Sequence, residues 1–206
     1  MSEPTTTSSE PTPGLCALIR EDLRAHGGDW TRPGFRTLAA YRFGVWRMSI
    51  RSKVLRAPFS VLYRWMFRYC RNRYGIELPY TAQVGRGVVI EHQGAIVIHG
   101  ASVLGDGCVI RQGVTLGNRY LDRPDEAPRL GKNVNVGAGA KLLGAFAVGD
   151  SAVIGANAVV LRDVEAGQTV VGIPAKPIGA KRLEQTETAT TTIDTTSAAQ
   201  TGVSDG

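Results

Sequence analysis

The sequence predicts a mainly β chain: a parallel β-helix of about four coils, preceded by an α-helical region and flanked by disordered tails. Three observations carry that prediction. An aliphatic residue recurs in steps of six, at Val84, Ile90, Ile98, Leu104, Ile110, Leu116, Leu130, Val136, Leu142, Val148, Ile154 and Val160. Glycine directly follows seven of these twelve positions. The fourth residue after the aliphatic is usually small or β-branched, as at Ser102, Cys108, Val114, Ala140 and Ala152. An α-helix has no period of six and a plain strand repeats every two residues, whereas three short strands per coil generate a hexapeptide repeat. In such a coil each aliphatic points into a narrow bore and stacks on its counterpart one coil along, about 4.8 Å away. The small residue faces inward near a corner, and glycine takes up the turn dihedrals. Twelve repeats at three per coil make four coils.

The remaining segments follow from composition. The chain has 206 residues, 43% hydrophobic and 20% charged, enough for a packed core. No apolar run approaches the roughly 18 residues that span a bilayer. The start, MSEPTTTSSEPTPGL, has neither the basic residues nor the apolar run of a secretory signal. Cys16, Cys70 and Cys108 are irregularly spaced, so they form neither a disulfide framework nor a zinc pattern. A cytoplasmic protein with free thiols is the expectation. Residues 1–13 and 184–206 are rich in Thr, Ser and Ala with few large apolar side chains, and read as disordered tails. Residues 14–76 read as helical. Leu15, Leu18, Ile19 and Leu23 share one face of a first helix that Gly27-Gly28 stops, and a second starts near Pro33. A third is expected from about Pro58 to Tyr74, with Leu55, Phe59, Leu62, Met66 and Cys70 at helical spacing and Arg64, Arg68 and Arg71 on another side.

Charge is localised. Between Tyr41 and Ile76 stand nine basic residues and no acid, within a chain of formal net charge +6. That segment, 42–73, reads as a solvated helix face, as a patch steering an anionic substrate, or as an interfacial helix in peripheral contact with an anionic membrane. No nucleic-acid-binding motif accompanies the charge, so no nucleic-acid partner is expected.

Two interruptions break the repeat. Ile90 to Ile98 is eight residues, placing two extra residues around Gln93 to Val97. Leu116 to Leu130 is fourteen, so eight extra residues bulge out around 118–129 (NRYLDRPDEAPR). A polar loop extruded from a rigid scaffold is a natural place for binding residues.

The hexapeptide repeats, with VGRGVVIEHQGAIVIHG, IRQGVTLGN, VGAGAKLLG and VVGIPAKPIG, make residues 77–179 resemble the serine acetyltransferase family of left-handed β-helix acyltransferases. EDLRAHGGDW, LAAYR, the basic helix and LGNR resemble the branch that acetylates exopolysaccharides such as colanic acid. The resemblance implies acetyl-CoA as co-substrate, a homotrimer with active sites between subunits, and one catalytic histidine, matching His92. Glu77 matches the aspartate that pairs with that histidine, and Glu91 matches a second aspartate just before it. Gly137-Ala138 and Gly155-Ala156 match positions whose backbone amides hold the pantetheine arm, and Lys176 matches a residue near the CoA phosphates. In the loop, Glu126-Ala127 stands where the family has an Arg-His pair before a proline. Arg119 and Arg123, with Glu91, are the candidate acceptor-binding residues, and Arg129 is a further cation of the loop, but none of these arginines occupies the matching position.

The chemistry agrees with these residue types. A neutral imidazole can take the alcohol's proton as its oxygen attacks a thioester carbonyl. A carboxylate on the other ring nitrogen fixes the tautomer and stabilises the imidazolium. Glu77 is the first candidate for that role and Glu91 the second, since adjacent residues on a strand point to opposite faces. His26 reads as structural, Cys108 as a core residue, and His99 as lining the site or facing solvent. No metal-ligand spacing joins the three histidines, so no metal is expected. The departure in the loop counts against serine, and the likeness to the exopolysaccharide branch implies an O-acetyltransferase acting on a sugar or glycan in cell-surface polysaccharide synthesis. L-Serine O-acetylation in cysteine biosynthesis, N-acetylation of an amino sugar and a non-catalytic trimeric scaffold are the rivals.

Overall fold

The computed structural model describes residues 13–178; the expected tails lie outside them, apart from Pro13. Three α-helices come first: α1 (Leu15–Ala25), α2 (Pro33–Trp46) and α3 (Lys53–Tyr69). α1 lays Leu15, Leu18, Ile19 and Leu23 half-buried along one side and ends where Gly27 and Gly28 both take positive φ. Pro33 opens α2, as expected. α3 begins five residues before the predicted Pro58, because the Ser52 hydroxyl caps it by accepting from Leu55 N–H at 3.4 Å. Pro58 lies inside the second turn. α3 gives way to a single wide turn (Cys70–Tyr74), and Gly75 at φ 64° ends it.

The side of α3 expected to face the core is only partly there. Cys70 and Tyr63 are buried and Phe59 and Met66 half-buried, but Leu55 and Leu62 face solvent. The charge segment is also divided. Arg42 and Arg47 are buried within the helical layer, leaving the other seven cations at its surface.

The β-helix follows. A lead-in strand, β1 (Ile76–Glu77), is succeeded by four coils. These are β2 (Gln83–Val84), β3 (Val89–Ile90) and β4 (Ile96–Ile98); then β5 (Val103–Leu104), β6 (Val109–Ile110) and β7 (Thr115–Gly117). Next come β8 (Arg129–Leu130), β9 (Asn135–Val136) and β10 (Lys141–Leu143), then β11 (Ala147–Val148), β12 (Val153–Ile154) and β13 (Val159–Val160). A partial turn adds β14 (Thr169–Val171) and β15 (Lys176–Ile178). Three sheets result, β1-β4-β7-β10-β13, β2-β5-β8-β11 and β3-β6-β9-β12-β14-β15. Every pairing is parallel except β14 with β15.

The bore is filled as the repeat requires. Of the twelve aliphatics, Val84 at the open first coil is half-buried and the rest are buried. The small inward residues Val88, Ser102, Cys108, Val114, Val134, Ala140, Ala152, Ala158 and Val164 are buried too. Burial pushes the thiols of Cys70 and Cys108 above the ordinary cysteine range. Cys16 is exposed. A thiol-specific alkylating reagent on the folded protein is therefore expected to label Cys16 alone, with all three reacting in denaturant. Native labelling of Cys108, read by peptide mass, would show the bore to be open.

The helices cover the first-coil end of the β-helix, where β1–β3 would otherwise expose unpaired edges. Tyr41 Oη donates to Ala82 O at 2.8 Å and accepts from Val84 N–H at 3.1 Å. Tyr63 Oη accepts from Tyr80 N–H at 3.0 Å. Arg47 is sandwiched between the rings of Tyr63 and Tyr80, its guanidinium 4.6 and 4.4 Å from their centroids.

Candidate active site

The extra residues of the first coil form a bulge over 91–95. In the other coils the corner between the third and first sheets is short: Ile110 and Val114 are separated by 111–113. In the first coil, register is kept through Ile90↔Ile110 and resumes at Val97↔Thr115. The insertion thus sits slightly earlier than the sequence spacing placed it, because Ile96 already returns to the bore. Within the bulge His92, Gly94 and Ala95 take positive φ, at 64°, 107° and 52°. Left-handed backbone at two non-glycine residues costs free energy, and it pushes the His92 side chain out into solvent.

The bulge is anchored from both sides. Tyr74 O accepts from Gly94 N–H and Gly75 O from Ile96 N–H, both at 2.9 Å. Gly75 approaches so closely that a Cβ there would stand 3.1 Å from Ala95 N. On the other side, α1 and α2 grip the strand leading into His92. Asp22 and His26 are four residues apart and so share a face of α1. His26 Nε2 accepts from Ile90 N–H at 3.2 Å and its Nδ1 faces Asp22 O at 2.7 Å. With Nε2 accepting, Nδ1 is the nitrogen that donates to Asp22 O. Gly34 in the first turn of α2 lies against Ile90, and a side chain there would collide with the Ile90 carbonyl oxygen.

Beneath this contact is a buried ion pair. Arg42 Nε and Nη2 donate to the two Asp22 carboxylate oxygens at 2.9 and 3.2 Å. The same guanidinium donates to Val84 O at 2.9 Å and Gly85 O at 2.6 Å, tying both helices to the first coil.

The result is a cavity of ≈ 440 Å³ lined by Arg32, Pro33, Gly34, Ile90, Glu91 and His92. Arg32 contributes a cation, held loosely by Asp29 at 3.8 Å. Glu91 contributes an anion, paired with Arg111 Nε at 2.8 Å; Arg111 in turn bonds Asn135. A cation, an anion and an imidazole therefore share one polar pocket. Arg32, Gly34 and Arg111 did not stand out in the sequence: the first two belong to no repeat and reach the site through the docking of α2, and Arg111 reaches it by stacking of coils. His26 is structural, as expected, but its grip on Ile90 depends on the docking of α1.

The other sequence-predicted residues are distributed as follows. Glu77 lies on β1 opposite Val97, and no hydrogen bond or ion pair joins it to His92 among the described residues. Glu91 is likewise engaged with Arg111 rather than His92. The 118–129 loop leaves the corner between the first and second sheets, one corner away from the bulge. Within a single chain Arg119 and Arg123 do not line the His92 pocket. Both guanidinium groups lie over Tyr120, and Arg123 pairs with Glu126 at 3.2 Å. Ala127 is buried. His99 is half-buried, and its Nδ1 accepts from Ala101 N–H at 3.2 Å.

Gly137-Ala138 and Gly155-Ala156 stack on the same corner column as His92. Gly139 N–H donates to Gln112 O, Asn157 N–H to Ala138 O and Gly113 N–H to Gly94 O, so each corner hangs on the one before. A Cβ on Gly137 would stand 2.6 Å from Ala156 N, so the column requires glycine there. At about 4.8 Å per coil, Ala156 is roughly 15 Å along the axis from the bulge. Lys176 is exposed at the start of β15 beyond this column. Among the described residues no group of three or more His, Cys, Asp or Glu side chains is arranged to hold a metal. No helix among them is long and apolar enough to cross a membrane.

Comparison with known proteins places this architecture. No family model matches the chain. A serine acetyltransferase of Helicobacter pylori is 40% identical over 146 residues, covering 71% of this chain and 81% of its own length. The chain belongs to the serine acetyltransferase family. A Synechococcus elongatus serine acetyltransferase is also 40% identical, but the match spans 57% of that protein. Among solved structures, soybean serine acetyltransferase superposes with a TM-score of 0.69 at 30% identity, covering 81% of this chain and 70% of that one. The Brucella abortus enzyme in complex with coenzyme A superposes with a TM-score of 0.68 at 26% identity, covering 80% and 67%. The fold is thus the left-handed β-helix of this serine acetyltransferase family. The finer placement in an exopolysaccharide branch receives no support, since these relatives bear the serine acetyltransferase name.

Proposed function

We propose that the chain transfers acetyl from acetyl-CoA to the hydroxyl of L-serine, with His92 as general base. The acceptor is thereby serine rather than the glycan that the exopolysaccharide-branch resemblance and the loop departure implied. The observation that carries it is the pocket in which Arg32, Glu91 and His92 meet. A zwitterionic amino acid offers a carboxylate to the arginine and an ammonium to the glutamate, setting its hydroxyl toward the imidazole. The names of the relatives support the same acceptor.

In the proposed step His92 takes the proton of the serine hydroxyl as its oxygen bonds to the thioester carbonyl carbon. Collapse of the tetrahedral intermediate breaks the C–S bond, and the imidazolium returns the proton to the leaving thiolate of CoA. Glu77 is proposed to orient the ring; in the single chain the two are not bonded, so the role requires the ring to turn when substrate is bound. The small corner column through Ala138 and Ala156 offers backbone amides and room for the pantetheine arm, with Lys176 beyond it for the phosphates. The solved Brucella relative is a coenzyme A complex, which agrees with this donor. A homotrimer is part of the reading: it would bring the 118–129 loop of one copy toward the His92 pocket of the next.

One observation favours a second reading, a sugar hydroxyl as acceptor. Glu126-Ala127 replaces the Arg-His pair, and Arg123 is already neutralised by Glu126. Release of free CoA thiol, measured with L-serine and with a panel of sugars, nucleotide sugars and oligosaccharides, separates the two. Turnover with serine, by material whose light-scattering mass is that of three chains, is expected. Serine inert beside an active glycan would overturn the serine assignment while keeping the transferase.

A further inference from the structure

We propose that the outward face of α3 docks on an anionic lipid surface, independently of which hydroxyl is acetylated. α3 has three sides rather than two. With about 3.6 residues per turn, Phe59, Tyr63 and Met66 turn inward; Leu62 and Tyr69 border that side, and the apolar stripe continues from them through Trp65 to Val54 and Val61 on the outer side. The outer part of the stripe is bare: Val54 is 82% exposed, Trp65 64% and Val61 59%. Beside it, on the adjoining side, run Lys53, Arg64 and Arg68, all exposed. None of these cations takes part in any ion pair among the described residues.

The combination specifies the occupant. A contiguous apolar strip with a large aromatic and a flanking cationic row is the composition of a helix lying in the plane of a membrane interface. Trp65 and Tyr69 stack with ring centroids 5.8 Å apart. With Arg68, Asn72 and Arg73 they wall a shallow pocket of ≈ 380 Å³. Two guanidinium groups beside an aromatic floor suit a phosphodiester headgroup, while the stripe next to them suits acyl chains. Charge argues against a second copy packed symmetrically on the same face. Two such faces would oppose cationic rows with no acid between Tyr41 and Ile76 to neutralise them.

The test is co-sedimentation of the full chain with vesicles of phosphatidylcholine alone and of phosphatidylcholine mixed with phosphatidylglycerol. Binding is expected only to the mixed vesicles and is expected to fall with added salt. Arg64→Glu with Arg68→Glu should weaken it by on the order of tenfold or more, and Trp65→Ser with Val61→Ser should weaken it too. Acetyl transfer to a soluble acceptor should be unchanged in both variants, since neither touches the His92 pocket. No pelleting with either vesicle overturns the proposal. So does equal pelleting that the variants leave intact, or self-association that Trp65→Ser abolishes, which would assign the face to another copy of the chain.

Discussion

His92→Ala is expected to lower kcat for CoA release by about 10²–10⁴-fold, with a far smaller change in the KM for acetyl-CoA. A general base acts on the proton in flight, so its loss falls on the chemical step rather than on binding of the thioester. His92 sits at φ 64°, a left-handed backbone that histidine and asparagine accept more readily than alanine, so alanine also perturbs the bulge. His92→Asn separates the two effects. Asparagine tolerates left-handed backbone well and has no basic nitrogen, so it should keep the fold and lose the activity as completely as alanine does. If asparagine instead retained near-parental kcat, His92 would be a backbone spacer and not the base. Glu77→Gln should cost less than either, because it changes how the ring is held and not whether a base is present.

The second large effect concerns stability. Asp22→Ala should destabilise the protein by about 3–5 kcal/mol, since it leaves the Arg42 guanidinium buried without its counter-charge. For a chain of this size that corresponds to a fall in Tm on the order of 10 °C. The pair is 7% and 1% exposed, so water cannot take over the missing contact. Replacing both partners, as in Asp22→Leu with Arg42→Met, should recover part of the loss, because no uncompensated charge remains. Chemical denaturation of the three proteins gives the comparison. An Asp22→Ala variant within about 1 kcal/mol of the parent would mean that the two carbonyl bonds from Arg42 to Val84 and Gly85 suffice. Because α1 also carries His26, which grips Ile90 two residues before His92, loosening this helix should reach activity as well as stability.

Much of the fold was legible. The six-residue period named the coil and the bore residues, and the irregular first coil marked the bulge that presents His92. The glycines after the aliphatics do not supply turn dihedrals as expected: none of the seven has positive φ, and at all but Gly117 a Cβ would stand within 3.0 Å of the next coil. The candidate CoA column was legible for the same reason: residues at matching positions of successive repeats must stack. The pocket was legible only in half. Glu91 and His92 stand in the repeat, but Arg32, Gly34 and His26 arrive from helices whose docking has no periodic signature. The face of α3 was misjudged at Leu55 and Leu62. Helical spacing shows that apolar residues share a side; it does not show whether anything covers that side.

Sequence alone determined the β-helix, because its contacts are local in register. Val97 meets Thr115 and Ile90 meets Ile110 at offsets the repeat itself dictates. Tertiary structure alone decided what surrounds the histidine. His26 reaches Ile90 across 64 residues and Arg42 reaches Gly85 across 43, and both contacts depend on how a helical layer settles on the first coil. That settling is governed by shape and by pairing of buried polar groups, which leave no spacing in the chain for a reader to find.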